Sequence, residues 1–138
     1  MLLSDKRIFI VEDNTGNLAI ASLYLEHHGA KIRLERRGKD VPKAILNHMP
    51  IDIVLMDLML PNGVSGFDIF DQIREVPELA QIPVVIVSAA DPDLAIPQAR
   101  KRGVSGYISK PVTPHIPFQV ADVLNGKTIW IAESSLSF

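Results

Sequence analysis

The segment Pro83-Val84-Val85-Ile86-Val87-Ser88 is apolar without interruption until its final hydroxyl. Such a run belongs in a strand covered on both faces, as in a parallel sheet between layers of helices. The same event recurs along the chain, each time followed by a helical pattern. Ile8 to Val11 reads as the first strand, and Thr15 to His28 as a helix with Leu18, Ala21 and Leu25 in period. Lys31 to Glu35 alternates apolar and charged residues, as a half-exposed edge strand does. A second helix is capped by Asp40 and ends near His48, ahead of Pro50. Ile53 to Asp57 is the third strand, and Gly66 to Arg74 a helix with Phe67, Phe70 and Ile73 on one face. Asp91-Pro92 supplies a cap and a first-turn proline for a fourth helix. Gly106 to Ser109 is a short fifth strand, and Thr113-Pro114 opens a last helix reaching about Leu124.

Strand–helix alternation of this kind implies an α/β fold, a doubly wound parallel sheet with helices on both faces and right-handed crossovers. A five-stranded sheet of this size takes the order 2-1-3-4-5, with its ligand crevice at the carboxyl ends of strands one and three. Those strands run into Glu12-Asp13 and Asp57. A carboxylate at the carboxyl end of a central strand is poorly placed for stability and well placed for chemistry.

The 138 residues, 47% of them apolar, are expected to form a single domain over 1–138, with a core over about 6–124 and a C-terminal extension over 125–138. A formal net charge of −2 gives no basic footprint for nucleic acid. There are no cysteines, so disulfide and thiolate chemistry are excluded. No stretch approaches the roughly 20 apolar residues of a membrane span. Met1 to Arg7 lacks the order of a secretory signal, and a cytoplasmic location is expected.

The crevice edge would carry Glu12, Asp13, Asp57, the hydroxyl of Ser88 and the ammonium of Lys110. Crowded carboxylates repel, and a divalent cation is their usual remedy. Such an ion could neutralise phosphoryl oxygens while Ser88 and Lys110 bind the others, leaving Asp57 as a carboxylate nucleophile.

On Glu12-Asp13, Asp57, Pro61, Ser88, Tyr107 and Lys110-Pro111, the chain resembles the receiver domains of two-component response regulators over about residues 6–124. The resemblance implies the flavodoxin-like, CheY-like version of the fold. It implies Asp57 as phosphoacceptor in a phosphorelay, Mg²⁺ on Asp13, Asp57 and the backbone carbonyl of Met59, and Glu12 acting through water. It implies Lys110 on the phosphoryl group and a cis bond from Lys110 to Pro111. It implies a switch in which the Ser88 hydroxyl moves toward the phosphoryl group and Tyr107 rotates inward. The implied partner is a sensor histidine kinase or histidine phosphotransfer protein, docking near Asn17, Leu18 and the loop after Pro111. A homodimer through the face of helix four, strand five and helix five is a further expectation. Such a chain would catalyse its own phosphorylation and turn over no external substrate; the sequence does not name its effector.

Three local features depart from the family pattern. The Pro61–Gly66 loop is one residue longer, and the turn pair Asn62-Gly63 is expected to absorb the excess. Pro97 falls inside helix four and predicts a kink or a late start near Ile96. Met59 and Ala90, which flank the site, favour slow self-hydrolysis. Plainer readings stand beside these. Asp57 alone also reads as a turn aspartate, Ser88 as a satisfied hydroxyl, Tyr107 as core packing, and either Asp13 or Asn14 as the helix cap. The cluster Lys31, Arg33, Arg36, Arg37 and Lys39 reads as a solvated edge, and Trp130 as a clamp buried against helix five. Among rival functions, an aspartyl phosphatase wants an acid where Met59 stands, and a flavin binder would find its phosphate repelled by Glu12-Asp13. A receiver-like module that signals without phosphorylation would bind no Mg²⁺.

Overall fold

Short apolar runs and amphipathic helices alternate as their sequence periods require, in a computed structural model that describes residues 1–132. The strands are β1 (Arg7–Val11), β2 (Lys31–Glu35), β3 (Ile53–Met56), β4 (Val84–Ser88), β5 (Gly106–Ser109) and β6 (Ile129–Ile131). The helices are α1 (Thr15–His27), α2 (Val41–Asn47), α3 (Gly66–Glu75), α4 (Pro92–Arg102) and α5 (Ile116–Leu124). All strand pairs are parallel, and the order is β2-β1-β3-β4-β5-β6. The expected order of five strands stands, with a sixth strand added at the β5 edge.

Side chains that alternate along each strand fill two separate cores. Phe9, Val11, Val54, Met56, Val84, Ile86 and Tyr107 pack with α2, α3 and α4. Ile8, Ile10, Ile53, Leu55, Val85, Val87 and Ile108 pack with α1 and α5. β1, β3, β4 and β5 are buried along nearly their whole length, whereas edge strand β2 is largely exposed. Among the described residues no helix is long and apolar enough to cross a membrane.

Local chemistry sets the helix ends. The Asn14 side chain accepts from the Asn17 amide 2.9 Å away and caps α1. Ser65 and Asp91 cap α3 and α4 in the same manner, through the amides of Phe67 and Asp93. Asp40 stands at the cap position of α2 but is left-handed (φ 50°), and its side chain makes no cap bond. Thr113 and Pro114 do not open α5. They form a turn, with the Thr113 hydroxyl accepting from the His115 amide, and the helix starts at Ile116. Pro117 then lies in the first turn, where a missing N–H costs nothing.

The late start expected of α4 does not occur, and Pro97 lies within one assigned helix. Pro97 and Asp93 are both exposed. The hydrogen bond that Pro97 cannot make is therefore lost on the solvent side of α4. Trp130 is also corrected. It lies half-buried against the α2–α3–α4 core, and its ring is covered by Arg100 of α4 at 4.4 Å, away from α5.

β6 exists because Gly106 permits it. A β-carbon on Gly106 would lie 2.5 Å from Ile129 Cγ1 and 2.7 Å from its carbonyl oxygen. β5 is therefore an inner strand, and the face expected between helix four, strand five and helix five carries β6 along its β5 side.

Candidate functional site

Two strand ends bring the acids together. The amide of Asp57 donates to the Val11 carbonyl at 3.0 Å, joining the end of β3 to the end of β1. The amide of Glu12 donates to the Glu35 carbonyl at 3.1 Å and fixes the other side. Glu12 and Asp57 are 5% exposed, whereas Asp13 is open to solvent. One oxygen from each of these three carboxylates lies within 4.8 Å of the others. Asn14, not Asp13, serves as the helix cap, which leaves the Asp13 carboxylate for the crevice.

Lys110 enters from the end of β5. Its amide donates to the Ser88 carbonyl at 2.9 Å, and its bond to Pro111 is cis, as expected. Its Nζ lies 3.1 Å from Asp57 Oδ2 and pairs closely with Glu12 Oε1. The second Glu12 oxygen accepts from the Asn14 amide at 3.3 Å. Burial, the largest influence, pushes the Glu12 carboxyl above its ordinary range. The bond to Lys110 opposes this, and the neighbouring Asp57 adds to it. Three carboxylates against one ammonium leave negative charge that a dication would balance, so the donor set fits Mg²⁺.

The loops complete the rim. The Met59 amide donates to Asp57 Oδ1 at 3.3 Å. Met59 and Ser65 form an isolated antiparallel bridge whose hydrogen bonds come from their neighbours, Gly66 to Leu58 and Leu60 to Val64. The Met59 carbonyl takes no part in that bridge. The Met59 side chain is 58% exposed and lines a groove with Ala90 and Leu94. Asn62-Gly63 forms a turn, as expected of that pair: Pro61–Gly63 is a 3-10 turn with Asn62 at φ 61° and Gly63 at φ 73°.

Ser88 is fully buried, and its hydroxyl oxygen accepts from the Ala90 amide at 3.1 Å. Tyr107 is already inward: its ring is fully buried and its hydroxyl donates to the Ala90 carbonyl at 3.0 Å. Both features of the plain reading, a satisfied Ser88 and a core Tyr107, therefore coexist with a position beside the crevice. The cluster Lys31, Arg33, Arg36, Arg37 and Lys39 is solvent-exposed.

Two residues noted in the sequence act through their backbones. Gly66 was read as a helix start and as the end of the longer loop, yet a β-carbon there would lie 2.1 Å from the Asp57 carbonyl oxygen. Its position nine residues after Asp57 was the available signal. Ala90 matters through its backbone, which no side-chain pattern reports.

Comparison with known proteins agrees with this geometry. Residues 8–116 match the family described as the response regulator receiver domain. Protein PilH of Pseudomonas aeruginosa is 32% identical over 106 residues, covering 77% of this chain and 86% of PilH. The polar-differentiation response regulator DivK of Brucella anthropi is 33% identical over 108 residues, 78% of this chain and 86% of DivK. The solved CheY-like receiver domain protein of Methanospirillum hungatei shares the fold at TM-score 0.76 and 23% identity, over 88% of this chain and 95% of its own. The extent of the family match, with relatives that align over more than three quarters of the sequence, decides the matter: this chain belongs to the response-regulator receiver domains.

Proposed function

We propose that the chain is a phosphoacceptor in a phosphorelay. Asp57 takes a phosphoryl group from the phosphohistidine of a histidine kinase or a histidine phosphotransfer protein, and a partner protein reads the change. The observation that carries this reading is the grouping of buried Asp57 with Lys110, Glu12 and the exposed carboxylate of Asp13.

Asp13, Asp57 and the Met59 carbonyl would hold Mg²⁺, with Glu12 behind them. When bound, the ion supplies neutralisation of charge on the phosphoryl oxygens. An Asp57 oxygen forms the new O–P bond as the donor's N–P bond breaks, and the electron pair stays on the imidazole nitrogen. Lys110 Nζ, already 3.1 Å from Asp57 Oδ2, donates to a phosphoryl oxygen. The Ser88 hydroxyl, one loop away, is the second donor. The protein modifies itself and turns over no external substrate. Its hydrolysis is slow, because Met59 and Ala90 offer no side-chain base to orient a water.

The test is intact mass after incubation with acetyl phosphate, with and without Mg²⁺, beside Asp57→Asn. A gain of one phosphoryl group that needs both Mg²⁺ and Asp57 supports the reading. No gain, together with no Mg²⁺ binding, favours a module that signals without phosphorylation.

A further inference from the structure

The loop from β4 to α4 is linked to the far edge of the sheet through hydrogen bonds, strand register and a cation–ring contact. Within the loop, the Ala90 amide donates to Ser88 Oγ at 3.1 Å, and the Ala90 carbonyl accepts the Tyr107 hydroxyl at 3.0 Å. Tyr107 is the register partner of Trp130 on β6. Paired residues on neighbouring strands share a face, and both rings belong to the α2–α3–α4 core. The Trp130 ring is covered in turn by the Arg100 guanidinium at 4.4 Å. Arg100 sits on α4, whose cap Asp91 directly follows Ala90. The path therefore returns to the loop from which it began.

We propose that Trp130 is a positioning residue for the β4–α4 loop of the site, anchored by Arg100 and acting through Tyr107. The proposal rests on the reading of Asp57 as phosphoacceptor, because that loop carries Ser88. The indole of Trp130 stands beside Tyr107 in strand register and packs, half-buried, against the core that holds the Tyr107 ring. Removing that indole frees the ring, and the hydroxyl then leaves the Ala90 carbonyl to water. The loop keeps only its internal bond from Ala90 to Ser88.

The experiment uses the full chain and five variants: Trp130→Leu, Trp130→Phe, Arg100→Gln, Tyr107→Phe and the Trp130→Leu/Tyr107→Phe double. Two readouts are taken: the Ala90 amide resonance in metal-free protein, and the rate of phosphoryl uptake from acetyl phosphate. Trp130→Leu is expected to shift the Ala90 amide toward its Tyr107→Phe position and to slow uptake by about three- to tenfold, the worth of one hydrogen bond. In the Tyr107→Phe background the Trp130 change adds nothing. Trp130→Phe restores most of the rate, and exposed Arg100→Gln gives a weaker form of the same shift should Trp130→Leu not fold. Lowered melting with unchanged Ala90 amide and unchanged uptake overturns the proposal, as do additive effects in the double variant. If the wild-type chain neither takes up a phosphoryl group nor binds Mg²⁺, the proposed function fails, and the amide shifts alone decide the role of Trp130.

Discussion

Gly66 stands so close to Asp57 that a β-carbon there would lie 2.1 Å from the Asp57 carbonyl oxygen. The start of α3 is thus pressed against the backbone of the proposed phosphoacceptor, and the Gly66 amide is bonded to Leu58, the next residue along. Helix and the Asp57 backbone cannot move independently.

Gly66→Ala should therefore disturb both stability and site. The clash is with backbone, which cannot swing aside as a side chain would. A loss of about 1–3 kcal/mol in urea denaturation is expected, with slower phosphoryl uptake from acetyl phosphate. Unchanged stability would show that the loop yields more easily than the packing indicates.

Mg²⁺ should stabilise the folded chain, since the unfolded chain has no assembled carboxylate site. The melting temperature is expected to rise with Mg²⁺ concentration, reaching about 2.7 kcal/mol of added stability at about one hundred times the dissociation constant. Asp13→Asn should shift that dependence to higher Mg²⁺ and, because it relieves carboxylate repulsion, should raise melting in chelator. Calorimetric titration in chelated and Mg²⁺-loaded buffer checks both parts.

Alkaline stability should depend on Tyr107. Burial, the main cause, pushes its phenol above the ordinary range; the nearby Ser88 hydroxyl opposes this, and the charges of Asp57 and Asp91 add to it. A pKa raised on folding gives stability that is fully present below the unfolded value and lost as pH climbs through the folded one. The stability difference between wild type and Tyr107→Phe should therefore shrink as pH rises above about 10. Urea midpoints of the two proteins across that range are the measurement, and a constant difference would contradict it.

Pro97→Ala should stabilise the chain. The carbonyl of exposed Asp93 would regain an intrahelical partner, and the pyrrolidine ring would no longer press on the preceding turn. A gain of about 1–3 kcal/mol in urea denaturation is expected. A loss would mean that the ring makes contacts worth more than the bond it prevents.

The crevice was legible because its chemistry sits at the ends of strands that announce themselves. Asp57 and Ser88 close uninterrupted apolar runs, and Lys110 directly follows the short strand Gly106–Ser109, so the strand pattern brought them to one edge. What escaped had weaker local signals. β6 is three residues long, and its place depends on Gly106 lacking a side chain, a relation across the sheet that no window of sequence contains. Trp130 was assigned to the helix nearest in sequence, but strand register turned it to the opposite face. Pro97 disrupts less than its type suggests because its lost bond falls on the wet side of α4, and exposure is a property of the folded chain. The start of α5 moved because two prolines, Pro114 and Pro117, both suit a first turn, and only tertiary packing chooses between them.

The added strand also bears on how the protein behaves in concentrated solution. A sheet ends wherever its last row of amides and carbonyls finds no partner, and such a row can recruit a strand from another molecule. β5 alone would offer Tyr107 and Ile108 behind an open row. β6 closes that row and puts in its place an edge only three residues long, bordered by Lys127 and carrying Arg100 over its tryptophan. Short and charge-flanked edges template poorly. A strand of three residues thus also sets the colloidal character of this side of the molecule, and truncating it would be felt as aggregation.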